Sequence, residues 1–445
     1  MFIKYKSPHF FEGIFFDISP MEIQQIYALL LQQEQKVSTD TRKLEKGSIF
    51  FALKGDSFNA NEFAVSSIES GCAYAVVDDK SIQHPQCIMV EDVLQTLQDL
   101  AKHHRRQFAI PIIGITGTNG KTTTKELVNQ VLSTKYKVHC TKGNFNNHIG
   151  VPLTLLSMHE DTEIAIIEMG ANHPFEIDFL CKIAEPNYGV VTNMGKAHLD
   201  GFGGFEGVVK TKSEMYQFLA VHQGKIFVNA SDELLMRQSA LAPKRLFYQD
   251  EHLKGAVISN NPTVNFQLNY IAESLEIASH LFGEHNLINM LCAARVGVEF
   301  GVSLNAIKEA LESYHPDNNR SQVVLSEKGN TLIWDAYNAN PSSMSAAVIA
   351  FANTPNERKV AILGDMLELG GEAHKEHETM IALLAKLNLP AYLVGPEFVN
   401  CSSSFKSFAN ALELKEYLIQ SSLIGHYVLI KGSRGIKLEI LKEIL

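Results

Sequence analysis

The chain has 445 residues, 45% hydrophobic and 20% charged, and its 39 Lys and Arg against 49 Asp and Glu give a formal net charge of −10. This length suits about three domains, each burying its own core, and the acidic balance argues against nucleic acid as the main partner while leaving room for local phosphate pockets. The cysteines Cys72, Cys87, Cys140, Cys181, Cys292 and Cys401 form no C-x-x-C pair, which speaks against a disulfide framework or a zinc site and for a reducing compartment.

In chain order, Met1 to Pro20 mixes charges with short apolar pieces and lacks a secretory apolar stretch. No apolar run reaches the roughly 18 residues of a membrane span, so a soluble, cytoplasmic chain is expected. To about residue 105, short apolar runs read as strands (Ser48–Leu53, Tyr74–Val77, Cys87–Val90) before a polar helix that ends in His103-His104-Arg105-Arg106. From Pro111 the pattern sharpens. Ile112–Thr116, Ile164–Ile167, Gly189–Val191 and Ile226–Val228 read as buried strands with helical segments between most of them, the signature of a parallel sheet covered on both faces. A turn-rich stretch, His315–Asn319, follows the helical segment Leu304–Tyr314. Beyond it the alternation resumes with Leu332–Trp334, Val360–Leu363, Tyr392–Val394 and Tyr427–Ile430. These strands end in Asp335, Gly364-Asp365, Gly395 and Lys431-Gly432, and open α/β sheets bind ligands at such carboxyl ends. The expected class is α/β in three domains: residues 1–105, a central P-loop parallel-sheet domain at 106–314, and a Rossmann-like α/β domain at 315–445.

The strongest motif is Gly114-Ile115-Thr116-Gly117-Thr118-Asn119-Gly120-Lys121-Thr122-Thr123-Thr124, a buried strand running through a Gly-rich turn into a helix. Backbone N–H groups and the helix N-terminus can cradle a triphosphate, Lys121 can reach the outer phosphates, and Thr122 can hold Mg²⁺. Ile115 stands where the strict pattern has its first Gly. Glu168 ends a buried strand, where it can serve as a Mg²⁺ ligand or as a capping acid. His198 lies in a glycine-flanked loop after another strand, as a surface residue or a ligand.

Together these segments resemble the Mur ligases of peptidoglycan precursor synthesis. The T-G-T-N-G-K-T-T loop, strand-end Glu168, the A-H-L-D-G-F-G segment and Gly283-Glu284-His285-Asn286 occur in the family's order. The segments Gly143–Pro152, Glu168–Asn172, Asp335–Pro341, Leu363–Gly370 and Lys431–Arg434, with Ser38–Arg42 and Gly47–Leu53, are similar to the branch that adds D-alanyl-D-alanine to a UDP-N-acetylmuramoyl-tripeptide. The resemblance implies a carboxylate–amine ligase that forms ADP through an acyl phosphate, contributing to the cell wall. It also implies residue roles: Gly117, Thr118, Asn119, Gly120, Lys121, Thr122, Thr123, Asn286, Arg320 and Asp335 for ATP; Thr122, Glu168, His198 and a carbamylated Lys212 for magnesium; and Ser38, Thr39, Asp40, Arg42, Asn146 and Asn147 for the UDP-substrate. Asn338, Ser433 and Arg434 fall to the second substrate. The implied partners are small molecules, acting on a monomer.

Local chemistry alone reads some of these residues differently. Ser38–Arg42 is an ordinary Asx-type turn, Arg320 and Asp335 a solvated pair, and Lys210 and Lys212 two lysines near a helix start on a solvated face. Three positions depart from the family pattern: His148 replaces an acid, Asn59-Ala60-Asn61 replaces D-G-H, and Asn319 replaces a glycine before Arg320. A ligase for the third amino acid would carry a D-N-P-R-like segment, which Gly364–Gly370 lacks. A folate polyglutamate ligase has no call for Ser38–Arg42, and a P-loop hydrolysis switch would end its second strand in aspartate rather than Glu168.

Overall fold

The computed structural model describes residues 21–445; Met1 to Pro20, read above as lacking a secretory stretch, lies outside them. The first unit runs to Gln107 and takes in Leu155–Ser157, and the second comprises Phe108–Thr154 and Met158–Leu445.

In the first unit, Val37–Ser38, Ile49–Phe51, Tyr74–Val77 and Cys87–Met89 pair in that order as a four-stranded parallel sheet. Phe50, Ala52, Ala60, Ala64, Ile68, Ala75 and Val77 form its core. The Val93–Arg105 helix starts at Asp92, whose side chain accepts from the Gln95 amide, satisfying one of the orphan donors of the first turn.

The second unit carries two six-stranded sheets. In the first the order is Lys244–Tyr248, Lys225–Asn229, Tyr188–Val191, Ile112–Thr116, Ile164–Glu168, Val138–Cys140, all parallel. Ile112–Thr116 is fully buried, as a central parallel strand must be. After Glu168 the chain crosses over this strand to reach Tyr188–Val191. This is the kind of switch point at whose carboxyl ends ligands bind.

The second sheet runs Gln322–Leu325, Thr331–Asp335, Tyr427–Lys431, Lys359–Gly364, Ala391–Val394, Lys406–Phe408. It is parallel except for its antiparallel edge, Gln322–Leu325, which the sequence reading did not include.

A further three-stranded antiparallel sheet, Leu253–Asn260, Thr263–Tyr270 and Glu273–Phe282, was also unanticipated. Val264, Phe266 and Leu268 alternate into the same core as Met290 and Leu291, so a period-two pattern in Thr-Val-Asn-Phe-Gln-Leu-Asn-Tyr carried the signal. Among the described residues no helix is long and apolar enough to cross a membrane.

Candidate active site

Ile112–Thr116 delivers the chain into the phosphate loop, and the helix Lys121–Leu132 leaves it. Two glycines are required by geometry here. Gly117 has φ +140°, and a Cβ on it would stand 2.0 Å from Thr192 Oγ1. Gly120 has φ +76°, with Asn289 Oδ1 at 2.7 Å from a would-be Cβ. The loop is braced by its neighbour: the Thr118 amide donates to Asn193 O at 3.0 Å and the Asn119 amide to Asn193 Oδ1 at 3.0 Å. Lys121 Nζ donates to Gly117 O at 2.7 Å and Thr118 O at 3.0 Å. Withdrawal from water lowers its ammonium to about 8, opposed by Glu168 and reinforced by Arg320.

Glu168 is paired in register with Ile115, which puts its carboxylate beside the loop. Oε1 accepts from Thr122 Oγ1 at 3.2 Å and Asn146 Nδ2 at 2.8 Å. Oε2 is buried and accepts no hydrogen bond among the described residues; the nearest cation is Lys125 Nζ at 3.8 Å. An orphan carboxylate oxygen next to a threonine hydroxyl is a donor set suited to magnesium. His198 lines the same cleft, with Nδ1 2.7 Å from Glu368 Oε2; hydrogen bonding to His198 holds the Glu368 carboxyl below its usual range.

The C-terminal sheet closes the other side. Thr331–Asp335 and Tyr427–Lys431 place Asp335 directly opposite Lys431, with Nζ and Oδ2 2.6 Å apart. Asp335 is therefore partnered by a buried lysine, not by Arg320. Arg320 lies over the Tyr337 ring at 3.9 Å, a cation–π contact. Asn319 has φ +57°, the left-handed region that Gly adopts freely and Asn tolerates, which explains how it stands in for a glycine. Asn286 is buried, donating to Phe282 O at 2.7 Å and Ser321 Oγ at 3.1 Å and accepting from Asn289 at 2.9 Å. It braces this wall of the cleft within the protein. Burial holds its neighbour His285 down to about 4.

A cleft of about 660 Å³ joins these groups, lined by Thr118 to Thr123, Asn146, Asn147, Glu168, His198, Asn286, Arg320, Asp335 and Asn338 among others. Ser433 and Arg434 are not in its lining; the Ser433 hydroxyl accepts from the Leu367 amide at 3.0 Å, and Arg434 stands 5.9 Å from the Tyr337 ring. Asn147 caps the Gly150–Leu156 helix by accepting from the Ile149 and Gly150 amides. In the first unit, Asp40 accepts from the Arg42 amide and guanidinium. That is the Asx turn expected from local chemistry, and the Arg42 guanidinium first, then the Arg42 amide, hold the Asp40 carboxyl down at about 2. Ser38 is buried and accepts from Ser48 Oγ at 3.2 Å, and Thr39 is half-buried. Asn59 and Asn61 likewise bond each other, and Asn61 bonds Asp78.

Lys212 is only 2% exposed, within the helix Phe205–Val221 rather than on a solvated face. Its Nζ stands 5.5 Å from the Phe202 ring, and no hydrogen bond or ion pair holds it among the described residues. Burial, helped by the charge of Lys121, lowers its ammonium to about 7. Lys210, two residues away, is exposed, over the Phe175 ring at 5.7 Å. The sequence reading missed Lys125, Asn289 and Ser342, and took in Asn193 and Asn340 only within longer motifs. Lys431 was quoted only within its motif, although its place at a strand's carboxyl end was visible.

Comparison with known proteins gives matches to the Mur ligase middle domain over residues 115–297 and to the Mur ligase, glutamate ligase domain over residues 319–434. The chain is 34% identical over 429 residues to the UDP-N-acetylmuramoyl-tripeptide–D-alanyl-D-alanine ligase of Bacillus subtilis (strain 168), covering 92% of this chain and 93% of that one. Among solved structures, MurF from Acinetobacter baumannii superposes with a TM-score of 0.85 at 32% identity, covering 95% of this chain and 98% of that one. MurF ligase from Thermotoga maritima in complex with ADP has a TM-score of 0.83 at 26% identity, covering 93% and 97% respectively.

Proposed function

The chain belongs to the Mur ligase family, and from that premise we propose that it joins D-alanyl-D-alanine to a UDP-N-acetylmuramoyl-tripeptide, with ATP converted to ADP and phosphate. The observation that carries this reading is the single cleft that gathers Lys121, Glu168, Arg320 and Asp335. In this reading residues 1–105 hold the UDP-sugar through Ser38, Thr39, Asp40 and Arg42. Residues 106–314 hold ATP. Residues 315–445 bring the remaining nucleotide contacts and, through Asn338, Ser433 and Arg434, the dipeptide. The enzyme works as a cytoplasmic monomer.

The γ-phosphate passes to the terminal carboxylate of the tripeptide, the dipeptide amine attacks the resulting acyl phosphate, and phosphate leaves from the tetrahedral intermediate as the amide forms. Lys121 uses two of its three donors to hold the loop, which leaves one for the β- and γ-phosphates. Thr122 presents an oxygen suited to one magnesium ion, and Glu168 and His198, supported by a carbamylated Lys212, would hold a second. Bound there, magnesium would neutralise charge on the transferring phosphoryl group. Arg320, held flat by Tyr337, adds a fixed positive charge. Asp335 is kept in place for the ribose by Lys431, and Asn286 shapes the adenine side. Asn146 orients Glu168 and, with Asn147, borders the acceptor end of the cleft. Catalysis is positioning and charge neutralisation.

The test is a matrix of UDP-muramoyl peptides against dipeptides, with amide product identified by mass and ADP followed in parallel. The reading requires ADP release to depend on both substrates. Steady ATP hydrolysis without them would instead indicate a hydrolytic switch.

A further inference from the structure

Asn119 sits in the phosphate loop, and each of its polar atoms already has a protein partner. Its amide donates to Asn193 Oδ1 at 3.0 Å, and its carbonyl accepts from Asn193 Nδ2 at 3.0 Å and from Thr192 Oγ1. Its side chain is held from the opposite domain. Oδ1 accepts from Asn340 Nδ2 at 2.7 Å, and Nδ2 donates to Ser342 Oγ at 2.9 Å. Ser342 Oγ in turn donates to Asn340 Oδ1 at 2.9 Å, closing a three-membered ring of hydrogen bonds.

Asn340 is 6% exposed and begins the helix Pro341–Ala352, accepting from the Ser343 amide at 2.9 Å. One carboxamide therefore does two jobs: its oxygen caps the C-terminal helix, and its nitrogen holds the phosphate loop. Gly195 makes room for the contact, since a Cβ there would stand 2.7 Å from Ser342 Oγ.

We propose that Asn340 is a positioning residue for the ligation, fixing the phosphate loop through Asn119 so that the loop takes its reactive shape only when the C-terminal domain is docked. The proposal rests on the ligase reading for its chemical consequence. Asn340 touches no reacting atom. It acts by carrying the position of one domain into the backbone that surrounds the phosphates.

The test separates the two jobs of the carboxamide. Asn340→Ser keeps an oxygen able to cap the helix but is too short to donate to Asn119. It is expected to lower kcat by about tenfold, the scale of one buried hydrogen bond lost from a positioned group, with KM for ATP within about threefold of wild type. In the ADP-bound full-length protein, amides of residues 117–124 should exchange with deuterium faster than in wild type. Asn119→Ala should do the same. The double variant should lose no more than the worse single, as for two ends of one contact. Ser342→Ala opens the ring but leaves the capping bond from the Ser343 amide to Asn340 Oδ1 in place, so it must slow the reaction even if Asn340→Ser fails to fold. Unchanged kcat, unchanged exchange, or single losses that multiply in the double variant would overturn the proposal. If the wild-type protein forms no amide at all, the ligase reading fails, while the exchange comparison still decides the bridge.

Discussion

The Nζ of Lys125 stands 3.8 Å from Oε2 of Glu168, and the two side chains are 2% and 1% exposed. Lys125 also donates to Thr141 O at 2.8 Å, and Glu168 Oε1 is occupied by Thr122 and Asn146. The pair is thus a buried cation facing the carboxylate oxygen that has no hydrogen bond. Such a pair adds little over apolar packing, but removal of one partner strands the other charge. Lys125→Met is expected to cost about 3 kcal/mol of stability in urea unfolding, and Lys125→Met with Glu168→Gln is expected to recover part of it. A double variant as unstable as the sum of the singles would show that the two charges do not interact.

The parallel sheets and the phosphate loop were legible because they rest on local patterns. Buried strands are written as apolar runs, and the turn after Ile112–Thr116 as glycines that nothing else could replace. Glu168 was legible for the same reason, as a carboxylate at a strand end. The bracing residues were not. Asn193, Asn289 and Asn340 meet the loop only through sequence separations of about 74 to 221 residues, and no local period records such a meeting. For Lys212, local chemistry alone pointed to a solvated face because its own segment is polar, and only the resemblance drew it to the site; its burial comes from how the helix packs, with Thr211 to Tyr216 all buried.

Lys121 is the loop's only cation. Lys121→Ala is expected to lower kcat/KM for ATP by about 10²- to 10³-fold, the cost of losing one positioned donor to developing charge. Steady-state kinetics at saturating acceptor and dipeptide measure it. A near-normal value would remove Lys121 from the chemistry.

Asn319 carries φ +57° just before Arg320. Among the described residues its side chain accepts only from Lys442 Nζ, at 2.9 Å, an exposed contact that contributes little. Asn319→Gly is therefore expected to leave stability within about 0.5 kcal/mol, and Asn319→Val to cost about 1–2 kcal/mol through the left-handed backbone. Denaturant unfolding of the two variants checks the order; a valine variant as stable as wild type would contradict the strain.

Lys212 gives the last prediction, on modification and pH together. Burial has already lowered its ammonium from 10.5 to about 7, so near neutrality much of it is the free amine that attacks CO₂. In the proposed carbamylation a bond would form between Nζ and the carbon, an N–H proton would pass to solvent, and the negative charge would rest on the new carboxylate. Carbamate formation should rise as pH increases from about 6 to about 8, following the free amine. The sign for folding is the same. Between about 7 and 10.5 the unfolded chain holds a proton that the folded one has released, so the unmodified protein gains stability as pH rises through that window. Below it, the full cost of a buried ammonium is felt. Carbon-13 NMR under labelled CO₂ should show one carbamate carbon that persists in Lys210→Ala and vanishes in Lys212→Ala. Activity of Lys212→Ala should fall about a hundredfold, the upper range for loss of a group that supports a metal ligand, and short-chain carboxylates in solution should restore part of it. Full activity of Lys212→Ala in CO₂-depleted buffer would exclude the modification from the reaction. A carbamate signal lost with Lys210 instead would move it to the exposed neighbour.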